Sequence, residues 1–343
     1  MKNEKGLTLV ELLVTLAIFS IVMAGVYAVY TTQIRHSTRE YMLAESEMEL
    51  GIAKTVIERD IMMAGYGIAD DYSTLSIDPV PIYATDATSP VTYDSLSLRG
   101  TAIGILSKST QGWSYIVNKG SPVMFQSWTD DRENIVSGDQ VIYMEPNTRE
   151  ILTEGITAIF SYPEIPLTAD KGTLVYGIHS ESAALPYYTV EYLLGGTPLS
   201  LCAPGTRSLL RAESRNNDPP LPANREPLLN CVRDFQVSFG LDTDENGTID
   251  AWDPISPGSF QVSGYDMKSL KKRLKQVRVY ILVQEGSRDP DYTYSNPENP
   301  GNPATIRVGD SMLGTGRDIT LTAEQRRYRW RVVTLSITPR NLR

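Results

Sequence analysis

The hydrophobic and polar positions divide this chain into two regimes. Residues Leu7 to Tyr30 (LTLVELLVTLAIFSIVMAGVYAVY) form an almost uninterrupted apolar run. At 1.5 Å per residue, a helix of that length crosses a hydrocarbon core of about 30 Å, so the run predicts a single membrane-spanning helix. From Gln33 to Ala64 there is no proline, and apolar residues recur at Ile34, Tyr41, Met48, Ile52, Val56 and Met63. These spacings of seven and four predict that the helix continues beyond the bilayer and lays that face on a globular part. Gly65, Gly67 and the polar stretch Asp70 to Thr74 mark its end.

From about Tyr72 the helical period gives way to short β-rich runs separated by Gly, Pro, Asn and Asp clusters. The candidate strands are Ser95 to Leu98, Gln140 to Met144, Thr157 to Tyr162, Thr173 to Ile178, Thr189 to Leu194, Val232 to Phe239, Gln276 to Val283 and Arg329 to Ile337. Asn216 to Pro227 and Ser287 to Pro303 read as exposed loops. The expected fold class is α+β, a long N-terminal helix packed on a predominantly antiparallel β body spanning residues 66–343. Length leaves open whether that body has one core or two.

Charge adds direction. Lys2 and Lys5 before the apolar run place the short N-terminal end in the cytoplasm, with everything after about Thr31 extracytoplasmic. A net charge of -9 and a pI near 5.0 argue against nucleic acid as a partner, because neutralising phosphates needs an excess of Lys and Arg. The two cysteines, Cys202 and Cys231, have no zinc-type spacing. Outside the cytoplasm they read as one disulfide closing a loop around Asn216 to Glu226, worth about 3 kcal/mol. Two separate buried thiols remain the alternative at this point.

One residue does not suit an ordinary anchor. Glu11 puts a carboxylate early in the apolar run, where a charge costs about 2.5 to 3.5 kcal/mol, so it calls for a partner. The motif Gly6-Leu7-Thr8-Leu9-Val10-Glu11, behind a short charged leader, resembles the type IV prepilin class. That resemblance implies a leader at residues 1–6, a transmembrane half of the helix at 7–30 and an extramembrane half at 31–65. It also implies a prepilin peptidase that cuts between Gly6 and Leu7 and methylates the new amino group of Leu7, where many members have Phe. Glu11 then offsets that amine, in the same or a neighbouring subunit, more strongly as water is excluded. Two plainer readings compete: a secretory signal cut after Ala28, and an anchor in which Gly6 and Glu11 are coincidence.

The sharpest chemical motif is Asp242-Thr243-Asp244-Glu245-Asn246-Gly247-Thr248-Ile249-Asp250-Ala251-Trp252-Asp253. Asp242, Asp244, Asn246, Asp250 and Asp253 fall at positions one, three, five, nine and twelve of a calcium-type loop. Thr248 offers its carbonyl at seven, and Gly247 sits where the chain must turn sharply. Asp253 replaces the usual final Glu, and a strand precedes the motif, so the expectation is a structural calcium loop on a sheet. A metal-free Asx-rich turn is the alternative. The segment Met267 to Lys275, with Lys268, Lys271, Lys272, Arg273 and Lys275, reads as a solvated helix face, with docking on an acidic neighbouring subunit or on anionic lipid as the alternative. Arg326, Arg327, Arg329 and Arg331 around Tyr328 and Trp330 suit a strand whose Arg side faces outward or stacks on aromatics.

Cys231-Val-Arg-Asp-Phe-Gln-Val-Ser-Phe-Gly-Leu-Asp242, with Tyr328-Arg-Trp-Arg-Val-Val and the closing Pro339-Arg-Asn-Leu342, resembles the PilW type of minor pilin. The resemblance implies a low-abundance subunit that helps prime pilus assembly near the tip. Its implied partners are other minor pilins, the major pilin, the prepilin peptidase, an inner-membrane assembly platform and any tip adhesin. It would sit in the inner membrane before assembly and on the pilus afterwards. A type II secretion pseudopilin has the same N-terminus, and a membrane-tethered adhesin or enzyme is the rival from another class. Catalysis has little support, because His36 and His179 are the only histidines and no nucleophile elbow, Walker A or H-E-x-x-H sequence occurs.

Overall fold

The computed structural model describes residues 9–342, apart from 73–74, 76–78, 87–92, 104–111, 132, 179–185, 215–218 and 255–258. Lys2, Lys5, Gly6, Leu7 and His179 therefore lie outside the described residues, as does part of the Asn216 loop. A single helix, α1 (Leu9–Met63), runs for 55 residues. Every side chain from Leu9 to Tyr30 is exposed, and this part of the helix is long and apolar enough to cross a membrane. The helix stops where Gly65 and Gly67 turn the chain with φ of +82° and +66°. A Cβ on Gly67 would meet the Thr101 hydroxyl at 2.2 Å, so this turn needs glycine for room as well as for φ.

The buried face of α1 differs from the expected one. Leu50, Ala53, Ile57, Asp60, Ile61 and Ala64 are buried, whereas Ile34, Tyr41, Met48 and Ile52 are exposed. Both stripes have helical spacing, but at 100° per residue they lie on nearly opposite faces. The buried stripe joins the core formed with the main sheet.

In chain order the strands are β1 (Ile82–Thr85), β2 (Ser95–Gly100), β3 (Trp113–Asn118), β4 (Met124–Phe125), β5 (Gln140–Met144), β6 (Ile151–Leu152), β7 (Phe160–Ser161) and β8 (Leu174–Ile178). They continue as β9 (Tyr188–Gly195), β10 (Arg207–Ser214), β11 (Arg225–Leu241), β12 (Ala251–Asp253), β13 (Leu274–Glu285), β14 (Thr305–Val308), β15 (Arg317–Thr320) and β16 (Arg329–Ile337). An antiparallel sheet in the order β1-β2-β9-β10-β11-β13-β16, with β12 beside β11, forms the main layer. Alternation along β11 and β13 points Phe235, Val237, Phe239, Val277, Val279 and Ile281 toward α1. The opposite face, with Tyr280 and Leu282, is covered by the β14–β15 hairpin through Ile306, Val308 and Ile319. The hairpin is held by Arg317, whose Nε lies 3.1 Å from the buried Asp234 carboxylate.

A second antiparallel sheet, β4-β3-β8-β5-β6 with β7 on β5, occurs between β2 and β9 in the sequence. Those two strands are neighbours in the main sheet, where Gly100 pairs with Tyr188. One face of the second sheet adds Ile142, Met144 and Ile178 to the main core. The other holds Val141, Tyr143 and Val175 in a smaller cluster with Ile116 and Phe160. The body therefore has two sheets sharing a core.

Two expected elements changed. Thr157 to Tyr162 pairs only at Phe160 and Ser161, because a turn at Gly155 leaves a bridge from Glu154 to Thr157 in place of a ladder. Arg225 to Pro227, read as loop, begins β11 and pairs with β10, with Pro227 opposite Leu210. Proline is tolerated there beside the irregular register of this pair.

Candidate functional site

Three features define the functional geometry: the naked end of α1, its fastening to the sheet, and the acidic turn at the sheet margin. Glu11 lies near the start of the described part of α1. All around it are exposed apolar side chains, among them Leu9, Val10, Leu12 and Leu13. The arrangement puts one carboxylate on an otherwise apolar, exposed length of helix.

The other half of α1 is fixed by a buried ion pair that sequence reasoning did not find. Asp60, 2% exposed, accepts from the Tyr192 hydroxyl at 2.6 Å and from Arg211 Nε at 2.8 Å, with Arg211 Nη2 also at 2.8 Å. Tyr192 is on β9 and Arg211 on β10, so one carboxylate grips two strands. Burial pushes the Tyr192 phenol well above its ordinary range, with the neighbouring Asp60 charge adding to it, so the hydroxyl is a committed donor. An Asp inside an otherwise apolar helical stripe was the available sign.

The acidic motif forms the turn between β11 and β12, which pair at Leu241 with Ala251 and Gly240 with Trp252. A strand therefore enters it, as the sequence predicts, and β12 takes up its last three positions. Gly240 makes room for Ile249, whose Cδ1 would lie 2.8 Å from a Cβ there. Carboxylate oxygens of Asp242, Asp244 and Asp250 lie within 4.8 Å of one another. Asp242 accepts from Asn246 N–H at 2.9 Å and Gly247 N–H at 2.7 Å, while Asp250 accepts from the Thr243 amide and hydroxyl at 3.0 Å. Burial pushes the Asp242 carboxyl up, but Gly247 N–H and the Lys275 ammonium outweigh it and hold the group below the usual range. The Thr243 amide lowers Asp250, and Lys272 lowers Glu245.

Three clustered carboxylates are a hard-oxygen set that fits a divalent cation of the calcium type. Asn246 donates its amide to Asp244 at 2.8 Å and takes the Thr248 N–H on its oxygen at 2.8 Å, so the two brace the turn. Asp253 stands outside the set. It is buried on β12 and accepts from Val262 N–H at 2.9 Å, because the strand pairing that starts at Ala251 carries it away from the loop.

The basic segment is less solvated than its composition suggests. It forms α2 (Met267–Arg273), capped by Asp266, which accepts from Ser269 N–H at 2.8 Å. Lys272 reaches Glu245 at 3.1 Å and Lys275 reaches Asp242 at 3.2 Å, so these cations neutralise the acidic turn. Lys271 pairs with Asp70, which Arg149 of the second sheet also holds at 3.2 Å. Cys202 and Cys231 are disulfide-bonded, with Cα atoms 5.1 Å apart. Cys231 has φ of +54° and sits at the register shift of the β10–β11 ladder, between the paired residues Leu229 and Val232. Arg329 stacks 4.4 Å from the Tyr292 ring centre, as expected for the C-terminal strand, whereas Arg326 and Arg327 belong to a turn before it.

An exposed apolar helix bearing one early carboxylate and joined to an antiparallel body is the architecture of a type IV pilin-like protein. The sequence comparisons agree: residues 1–27 match the model for the prokaryotic N-terminal methylation motif. Within that class the chain carries a PilW region, since residues 192–341 match the family model described as Type IV Pilus-assembly protein W. That region runs from the middle of β9 through β16, and so leaves out β1, β2 and the second sheet. No curated protein shows a sequence match to the chain. Among solved structures, the type IV-like pilin TTHA1219 from Thermus thermophilus is similar, at 10% identity over 86% of this chain and 97% of its own, with a TM-score of 0.37.

Proposed function

We propose that the chain is a minor pilin, a structural subunit without catalytic activity that helps to initiate a type IV pilus and sits near its tip. After cleavage between Gly6 and Leu7 and methylation of Leu7, the apolar half of α1 holds the subunit in the inner membrane with its body in the periplasm. Entry into a filament then exchanges lipid for neighbouring helices. Glu11 meets the Leu7 amine of an adjoining subunit, a major pilin or another minor pilin, and sets the axial register. The reading rests chiefly on one observation: Glu11 is the only charged side chain along the exposed apolar stretch from Leu9 to Tyr30. The body is stiffened by the disulfide and by calcium, for which Asp242, Asp244 and Asp250 would supply carboxylates and Thr248 a carbonyl. An assembly platform in the inner membrane and a tip adhesin are the remaining partners of this reading.

Replacing Gly6 should leave an uncleaved precursor in the inner membrane, read by mass spectrometry of the N-terminus. Glu11→Ala should be cleaved normally yet fail to enter pili. Normal processing of the Gly6 variant, or piliation unaffected by Glu11→Ala, would overturn the proposal.

A further inference from the structure

Where α1 leaves the apolar run it forms one wall of a cleft of ≈ 580 Å³. Ile34, Arg35, Thr38, Arg39 and Leu43 line that wall, and the segment Glu285 to Asp291 with Arg329 lines the other. We infer that this cleft binds the phosphate headgroup of an anionic phospholipid in the leaflet on the body's side of the membrane. The inference rests on the membrane-anchored reading of α1.

The first argument is position. Arg35 lies five residues beyond Tyr30, about 8 Å further along a helix. A bilayer's headgroup layer extends about 5 to 8 Å past the hydrocarbon on each side, so Arg35 stands at the level of lipid phosphates. Arg39 follows one turn later on the same face.

The second argument is charge. The chain as a whole is acidic, at -9, yet four arginines line this one cleft: Arg35, Arg39, Arg329 and Arg288, the last of them bound to Glu324 at 2.6 Å. Of the three lining acids Asp291 is exposed, and the other two are paired. Asp289 is held by Arg329 at 3.0 Å and Arg39 at 3.6 Å, and Glu285 is held at 3.1 Å by Arg331, outside the lining. Arg35 has no side-chain hydrogen bond or ion pair among the described residues. A cation without an internal partner, beside two others gathered on one carboxylate, suits a phosphodiester, which accepts several guanidinium donors at once. Ile34 and Leu43 give the glycerol and upper acyl carbons an apolar surface.

The test uses the full chain in nanodiscs, one set of phosphatidylcholine alone and one containing phosphatidylglycerol. Native mass spectrometry reads the lipid retained after release. Phosphatidylglycerol should be retained in preference, and Arg35→Gln should weaken that preference about fivefold, the effect of one interfacial cation. Arg35 makes no side-chain hydrogen bond or ion pair among the described residues, so this variant should fold normally; Lys119→Gln, just after β3 of the second sheet and outside the cleft lining, should match the parent. Equal retention by Arg35→Gln and parent would overturn the inference. So would glycerol phosphate binding the detergent-solubilised chain as well as the lipid does, since that makes the ligand a soluble phosphate. A chain that fails to enter nanodiscs at all would instead overturn the anchored reading of α1.

Discussion

Asp60 is the residue whose loss should most clearly separate the helix from the body. In Asp60→Ala the Arg211 guanidinium, with a side chain only 10% exposed, keeps Glu213 but loses its partner on α1. The Tyr192 hydroxyl loses its 2.6 Å acceptor at the same time. Breaking a buried pair by removing one partner costs about 3 to 5 kcal/mol, most of it the penalty of an uncompensated buried charge. Arg211→Ala should cost a similar amount by stranding Asp60. The double variant should then fall short of the sum by about 2 kcal/mol, because neither charge is left to be stranded. Guanidinium unfolding of the detergent-solubilised full chain, followed by near-UV circular dichroism, measures all three. Hydrogen exchange over residues 50–63 should rise in the single variants more than exchange in β13. A single-variant loss under about 1 kcal/mol, or strict additivity, would refute the idea that this pair fastens α1.

Removing the disulfide with Cys202→Ser and Cys231→Ser should cost about 3 to 4 kcal/mol, the loop entropy for a separation of 29 residues, measured as a shift in urea midpoint. In acid, Asp242, Asp250 and Glu245 have folded pKa values below their ordinary ones. Their contribution to stability is therefore complete above about pH 5 and is lost as pH falls through about 4 and then through the depressed folded values. Thermal melts across that range should show the loss, and Asp250→Asn should flatten it. Calcium should raise the melting temperature and a chelator should reverse the rise; an identical response from Asp250→Asn would show that the ion acts elsewhere.

Local chemistry made some parts of this molecule legible. The apolar run, Glu11 and the glycines that end α1 are each read from a few adjacent residues, and Gln140–Met144 and Arg329–Ile337 were bounded correctly by β-branched and aromatic runs. The acidic turn was equally local, its side chains bonding to amides two to seven positions away. What escaped the sequence was decided by distance along the chain. The burial of Leu50 and Ala53 over Tyr41 and Met48 depends on which stripe meets Arg211, some 150 residues later. The pairing of Lys272 and Lys275 with the acidic turn depends on β13 returning beside β11. Short strands such as Trp113–Asn118 and Arg207–Ser214 were missed because their mixed polar patterns acquire meaning only beside a partner. Asp253 had the right residue type at the right spacing, but the ladder from Ala251 had already claimed its backbone.

The place where the second sheet joins the first has a consequence for how such a body can vary. Its chain departs after Gly100 and comes back at Tyr188, residues that face each other across a ladder, so the main sheet closes on itself whatever length lies between. Shortening that excursion to a tight reverse turn would cost the apolar cover given by Ile142, Met144 and Ile178, and the clasp of Arg149 on Asp70, but no hydrogen bond between β2 and β9. Elaboration there can change the outer contour of the subunit while leaving untouched the platform that carries the helix.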